Sequence, residues 1–247
     1  MKGFFMDFTE FESLLADNCQ KNGVESPTKE QIDLFWRFTD HLLNVNAVTN
    51  LTAIRSVPDI IVKHYVDSLT VASLIPKNQR VLDLGCGPGF PSIPLAIYRP
   101  DLTIVGLDST DKKIRFVNES AQLLGLTNLK GVSGRAEDAK IRKELQTFDI
   151  VVSRAVSRLN ILDELCIPYL RICGKLIAMK GAKGEEELLE AQKGIGTLGG
   201  KVKKAHNFFL IDQDGNKEAR CLIEIEKIKE TPAAYPRAYA TIQKKPL

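Results

Sequence analysis

Apolar positions recur every three or four residues through the first third of the chain, and then the rhythm changes. In FTEFESLLADNCQKNG, Phe8, Phe11, Leu14, Leu15 and Cys19 fall on one helical side, and Gly23 supplies a stop. In SPTKEQIDLFWRFTDHLLNVN the stripe is Ile32, Phe35, Trp36, Thr39 or Leu42, and Leu43. Ser26 is the expected cap there, and Pro27 the first helical residue. VPDIIVKHYVDSLTVASLI repeats the pattern from Pro58. These stretches predict a helical extension over residues 1–77, most simply a cover for whatever follows.

After PKNQ the apolar residues come in short β-branched runs: RVLDLG (80–85), TIVGLD (103–108), NLKGVSG (128–134), FDIVVSRA (148–155) and GKLIAMKG (174–181). Segments of helical length and spacing lie between them, from SIPLAIYRP to LNILDELCIPYLR. Alternation of this kind predicts βαβ units, and hence a parallel sheet with helices on both faces. EEELLEAQKGI continues as a helix. KVKKAHNFFLI and ARCLIEIEKI then flank the turn signal DQDGN and predict an antiparallel hairpin at the sheet edge. The expected unit is a mostly parallel, seven-stranded α/β domain over residues 78–230. A Pro- and Lys-rich tail over 231–247 is expected to be basic and irregular.

Composition narrows the classes. No run of about 18 uncharged apolar residues occurs, so no membrane span or membrane partner is expected. MKGFFMDFTEFESLL mixes acidic with apolar residues and has no small-residue cleavage site, which is unlike a signal peptide. Five cysteines without a Cys-x-x-Cys pair argue against a disulfide framework or a zinc site and fit a reducing cytoplasm. His41, His64 and His206 lie far apart, so no metal is expected. The net charge of +3 is too mild to establish a nucleic-acid partner, but it is unevenly spread. Residues 1–34 are acidic, whereas DSTDKKIRF, SRAVSR, AMKGAKG, KVKKAH and the tail are basic islands.

The densest candidate chemistry is GCGPGFPSIPLA (85–96). The first strand of the sheet runs into Gly85, Gly87 and Gly89, where glycines let a backbone turn tightly and approach a ligand. A dinucleotide site would need a glycine three places after Gly87, and Phe90 stands there. Gly-x-Gly-x-Gly preceded by Asp83 instead resembles motif I of S-adenosylmethionine (SAM) methyltransferases. SAM has no pyrophosphate, so Pro88, Pro91 and Pro94 are tolerable at the helix start. Asp108 ends the second strand, where a carboxylate can accept from both ribose hydroxyls; the alternative is a helix cap. After the third strand, Ala136 and Glu137 stand where adenine would be lined.

The fourth strand of such a fold ends at the methyl acceptor. SRAVSR (153–158) lacks the Asn/Asp-Pro-Pro-aromatic pattern of exocyclic amine methylation. Cys166 and Cys173, in expected helix and turn contexts, do not suit a cytosine-attacking nucleophile. An acceptor already nucleophilic, such as guanine N7, remains. Arg154 is the candidate for positioning it, and Arg158 and Lys180 are further cations, each with a surface-charge alternative. An enzyme acting on another RNA or a protein side chain, a fold relative that has lost transfer activity, and NAD binding stay open.

NLTAIR (50–55), HYVDSL (64–69), GCGPGFPSIPLA, LDSTDKKIRF, SRAVS, MKG and YPR…KKPL occur in one order, and together they closely resemble the bacterial ribosomal RNA small-subunit methyltransferase G family. The resemblance covers residue 28 to the end. It implies the Rossmann-like fold of class I SAM-dependent methyltransferases, with N7 methylation of a guanine in the 530 loop of 16S rRNA. It puts Gly85, Gly87 and Phe90 against SAM, Asp108 on the ribose, Ala136 and Glu137 at the adenosine, and Arg154 at the ligand site. Lys112, Lys113 and Arg115, with Arg158 and Lys180, become RNA-binding candidates, and His64 a supporting residue. The partner implied is 16S rRNA or the 30S subunit, and no feature demands a dimer, so a monomer is expected. Two positions depart from the family pattern: Ser92, where members usually carry Gly, and AYAT after YPR, where a Gly is usual.

Overall fold

In the computed structural model, residues 6–154 and 156–247 are described. The first five residues, where the N-terminus unlike a signal peptide begins, and Ala155 of the SRAVS island lie outside the described residues. Five strands run parallel: β1 (Arg80–Leu84), β2 (Thr103–Asp108), β3 (Leu129–Ser133), β4 (Phe148–Arg154) and β5 (Leu170–Gly181). A hairpin, β6 (Gly200–Ile211) and β7 (Lys217–Lys227), completes one sheet in the order β3-β2-β1-β4-β5-β7-β6, with β7 antiparallel to both neighbours. Successive strand residues point to opposite faces, and both faces are covered. In β1, Val81 enters one core and Leu82 and Leu84 the other. Parallel strands buried on both sides read as near-continuous apolar runs, as these do.

One face is covered by α1 (Phe8–Lys21), α2 (Lys29–Thr49) and a helical run in which α3 (Val57–Asp59) and α4 (Asp67–Leu69) flank π-helical Ile60–Val66. α5 (Ser92–Tyr98) and α6 (Asp111–Leu124) complete that layer. Phe11, Phe35 and Phe38 are fully buried in the same core as Val81 and Ile104. The other face carries α7 (Ala139–Leu145), α8 (Leu159–Cys166), α9 (Gly184–Thr197) and α10 (Tyr239–Lys244).

Four local expectations change. Thr28, not Ser26, caps α2: its hydroxyl accepts from Gln31 N–H while the Gln31 side chain accepts from Thr28 N–H, so the helix starts beyond Pro27. Phe38, absent from the expected stripe, is buried against Tyr65 and Phe90, whereas Trp36 turns toward Phe8 and Phe11 of α1 and is only partly buried. Cys173 lies in β5 rather than in a turn. The strand begins at Leu170 and passes through a register shift opposite Asp149, with Cys173 at φ +65°. The tail is not wholly irregular: it contains α10, whose Ile242 is fully buried.

Candidate functional site

The order of strands reverses between β1 and β4, and open α/β sheets place ligands in the crevice beyond the carboxyl ends of such strands. Three adjoining cavities lie there, of about 240, 400 and 530 Å³. The first and second share Gly85 and Asp108; the second and third share His64 and Arg154; Val156 walls all three.

The glycine loop forms the floor between the first two. Gly85 N–H donates to Leu107 O at 2.7 Å, which ties the loop to β2. Its φ is +76°, and a Cβ there would lie 2.3 Å from Val156 Cγ2. Gly87 has φ +56° with open space above it, and its N–H donates to Asp108 Oδ2 at 3.0 Å. Thr110 N–H donates to Asp108 Oδ1 at 2.8 Å, so each carboxylate oxygen keeps a lone pair for a further donor. Gly85→Ala is therefore expected to cost about 1–2 kcal/mol from its left-handed backbone alone and to lower the melting temperature further by displacing Val156. An unchanged thermal unfolding curve would remove this account.

Beneath the loop, Asp83 is fully buried and accepts from the Ser92 hydroxyl and, at 2.9 Å, from Ser92 N–H. The departure at Ser92 thus has a structural role: it supplies the buried carboxyl with a donor. Burial raises the Asp83 pKa from its ordinary 3.8 to about 7, with the Ser92 bonds opposing. Asp163, in α8, is raised to about 7 for the same principal reason. In the pH range between those two values the folded state holds protons that the unfolded state has released, so stability falls as pH rises through it. Asp83→Asn is expected to flatten that slope, measured as melting temperature across pH 5 to 8.

Phe90 is buried below the second cavity. Its ring stacks on His64 at 4.1 Å and 9°, and the Arg154 guanidinium lies 5.6 Å from its centroid. Arg154 extends from the end of β4 into a cradle built by the N-terminal layer. It donates to Lys63 O at 2.7 Å, Asp67 Oδ2 at 3.1 Å and His64 Nδ1 at 3.2 Å. Arg154 can only donate, so Nδ1 accepts and the imidazole proton sits on Nε2, facing Thr52 Oγ1 at 2.9 Å. Burial first, and the Arg154 charge second, lower the His64 pKa to about 3, keeping the ring neutral. Arg220 of β7 donates to the other oxygen of Asp67 at 2.9 Å, so this buried carboxylate bridges two arginines. Each charge is paired, the condition under which burial is tolerable.

The remaining expected residues separate. Ala136 and Glu137 line the first cavity, and Ala136 O accepts from Tyr169 Oη. Lys113 borders the second. Lys112 donates to Thr49 O, and Arg115 is exposed on α6. Lys180 is not a solvated charge: it is buried at the third cavity, pairs with Glu187 at 2.8 Å and donates to Ser157 O. Arg158 points instead to Glu190 on α9, at 2.6 Å, and is half exposed. Sequence reasoning passed over Asp67, Arg220 and Tyr239. Asp67, an acid within an apolar helical run, carried a signal; Arg220, one cation among many on a hairpin, carried none.

The chain matches the sequence profile of GidB, rRNA small subunit methyltransferase G, over residues 31–213. Proteins named ribosomal RNA small subunit methyltransferase G from Brevibacillus brevis and Clostridium perfringens are 43% and 39% identical to it over 241 residues. The alignments cover 96% of this chain and 98% and 99% of those proteins. The chain belongs to the ribosomal RNA small subunit methyltransferase G family. Among solved structures, precorrin-6y C5,15-methyltransferase from Geobacter metallireducens has the same fold, with TM-score 0.51 at 15% identity over 74% of this chain and 92% of that one. TYW2 from M. jannaschii, solved in complex with AdoMet, gives 0.53 at 19% identity over 66% and 75%. In this chain the islands NLTAIR, HYVDSL and SRAVS, far apart in sequence, converge on the Arg154 cradle through Thr52, His64 and Asp67. Among the described residues no helix is long and apolar enough to cross a membrane, and no His, Cys, Asp and Glu cluster is arranged for a metal ion.

Proposed function

We propose that the protein transfers the methyl group of SAM to N7 of a guanine in the 530 loop of 16S rRNA, in the cytoplasm, with the third cavity as acceptor site. The cofactor reading is supported by the fit of the first two cavities. They combine an open glycine backbone, a carboxylate with lone pairs to spare at Asp108, and a lining of Leu107 and Ala136 suited to a flat base. Bound SAM supplies a sulfonium-activated methyl group, which the N7 lone pair takes as the C–S bond breaks, with no proton to remove.

The carrying observation is that, among the described residues lining it, the acceptor cavity holds cations and no group poised to take a proton. Its carboxylates, Asp67 and Glu187, sit in ion pairs with Arg154, Arg220 and Lys180. His64 is held neutral with its accepting nitrogen occupied by Arg154. The thiol within the glycine loop, Cys86, is pushed far up by burial, and so is Cys166. An acceptor that needs a base or a covalent nucleophile is poorly served, whereas one that needs only positioning is well served. Lys63, Arg154, Lys180 and Arg220 around the cavity suit a polyanion. The deciding experiment is transfer of tritiated methyl from SAM to 16S RNA, free and within 30S subunits, with mapping of the labelled base. Label on guanine N7 in the 530 loop is expected; label on protein or on another base rejects the proposal.

A further inference from the structure

The tail returns across the sheet as a tied strap. Arg237 donates from Nε and Nη2 to the carboxylate of Glu164, at 2.9 and 2.6 Å, and its backbone N–H adds a third bond at 2.8 Å. Glu164 is fully buried on α8. Before this anchor, Arg142 of α7 donates to Tyr235 O at 3.1 Å; after it, Ile242 is buried in the core. Tyr239 lies between the two anchors, and it lines the 240 Å³ cavity together with Leu107, Ala136 and Glu137. The stretch that carries it, AYAT, is where the tail departs from the family pattern.

We propose that Tyr239 is the aromatic wall of the cofactor's base subsite, held in place by the strap from Arg237 to Ile242. The inference rests on the SAM reading of that cavity. Among the described residues lining it, Tyr239 is the one aromatic ring; the others are glycine, aliphatic, short polar or charged. The one further planar group, the Arg135 guanidinium, is largely exposed and pairs with Glu137. A planar base gains most from a π-face. A charged pair on a fully buried carboxylate is retained only where its geometry is well satisfied, and here three bonds to one carboxylate fix the strap just before Tyr239.

The test is calorimetric binding of SAM and S-adenosylhomocysteine to the full chain, with Tyr239→Ala, Tyr239→Phe, Tyr239→Leu and Arg237→Ala. Tyr239→Ala and Tyr239→Leu should weaken both ligands about tenfold, Tyr239→Phe should bind as wild type, and Arg237→Ala should fall between. In turnover the loss should appear in KM for SAM rather than in kcat. If Tyr239→Ala fails to fold, the Phe and Leu variants decide, because they differ in aromaticity while keeping bulk. Equal binding by Phe and Leu variants, or wild-type binding by a folded Ala variant, overturns the proposal. Failure of the wild-type chain to bind either ligand overturns the cofactor reading itself, and the inference with it.

Discussion

Arg154→Ala is expected to lower methyl transfer about 100-fold or more, since loss of a positioning group that aligns two reactants costs on that order. The protein should still fold. Asp67 keeps Arg220 and His64 keeps Thr52, so the stability loss should be about 1–3 kcal/mol, the cost of a partly unpaired buried group. SAM affinity should change much less than turnover. Arg154→Lys should not rescue activity, because one ammonium cannot reach Lys63 O, Asp67 and His64 as the planar fork does. Single-turnover methylation read beside a thermal melt separates the two effects. Full activity in Arg154→Ala would move the acceptor site elsewhere.

Asp108→Ala is expected to weaken SAM binding by about 100-fold, from two hydrogen bonds to a charged acceptor. The variant also frees Gly87 N–H and Thr110 N–H, so the glycine loop loses one of its ties to the end of β2 and keeps those of Gly85 and Cys86 N–H to Leu107 O. Asp108→Asn keeps one acceptor oxygen and should lose about tenfold. Equilibrium dialysis with labelled SAM measures both. Unchanged affinity in Asp108→Ala would leave Asp108 as a loop brace and nothing more.

Much of this architecture was legible from local pattern. The change from helical spacing to β-branched runs located the five parallel strands, because parallel strands covered on both faces need continuous apolar side chains, though β5 begins at Leu170, before its run. The antiparallel hairpin was legible from its turn signal. The spacing from Gly85 to Asp108 placed two neighbouring strand ends at one crevice, and the structure joins them by a hydrogen bond from Gly87. The errors lie where tertiary contacts override a local signal. Ser26 and Pro27 look like a helix start, yet the reciprocal bonds of Thr28 and Gln31 win. For Lys180 the local pattern left a site cation and a surface charge both open; α9 brings Glu187 to it and buries the pair, which removes the surface alternative.

The chain order of apolar and polar residues by itself determined the α/β fold, the hairpin at its edge and the loop on which a cofactor would sit, since these depend on residues near one another in sequence. Only the tertiary structure decided what surrounds Arg154, and that Tyr239 of the tail lines a cavity beyond β2. Asp67, Arg154 and Arg220 come from a helix, a parallel strand and an antiparallel strand, and no periodicity relates them. Their meeting follows from low-dielectric burial: once the N-terminal helices cover the sheet, a carboxylate enclosed there must find cations, and the folded chain offers it one from each side.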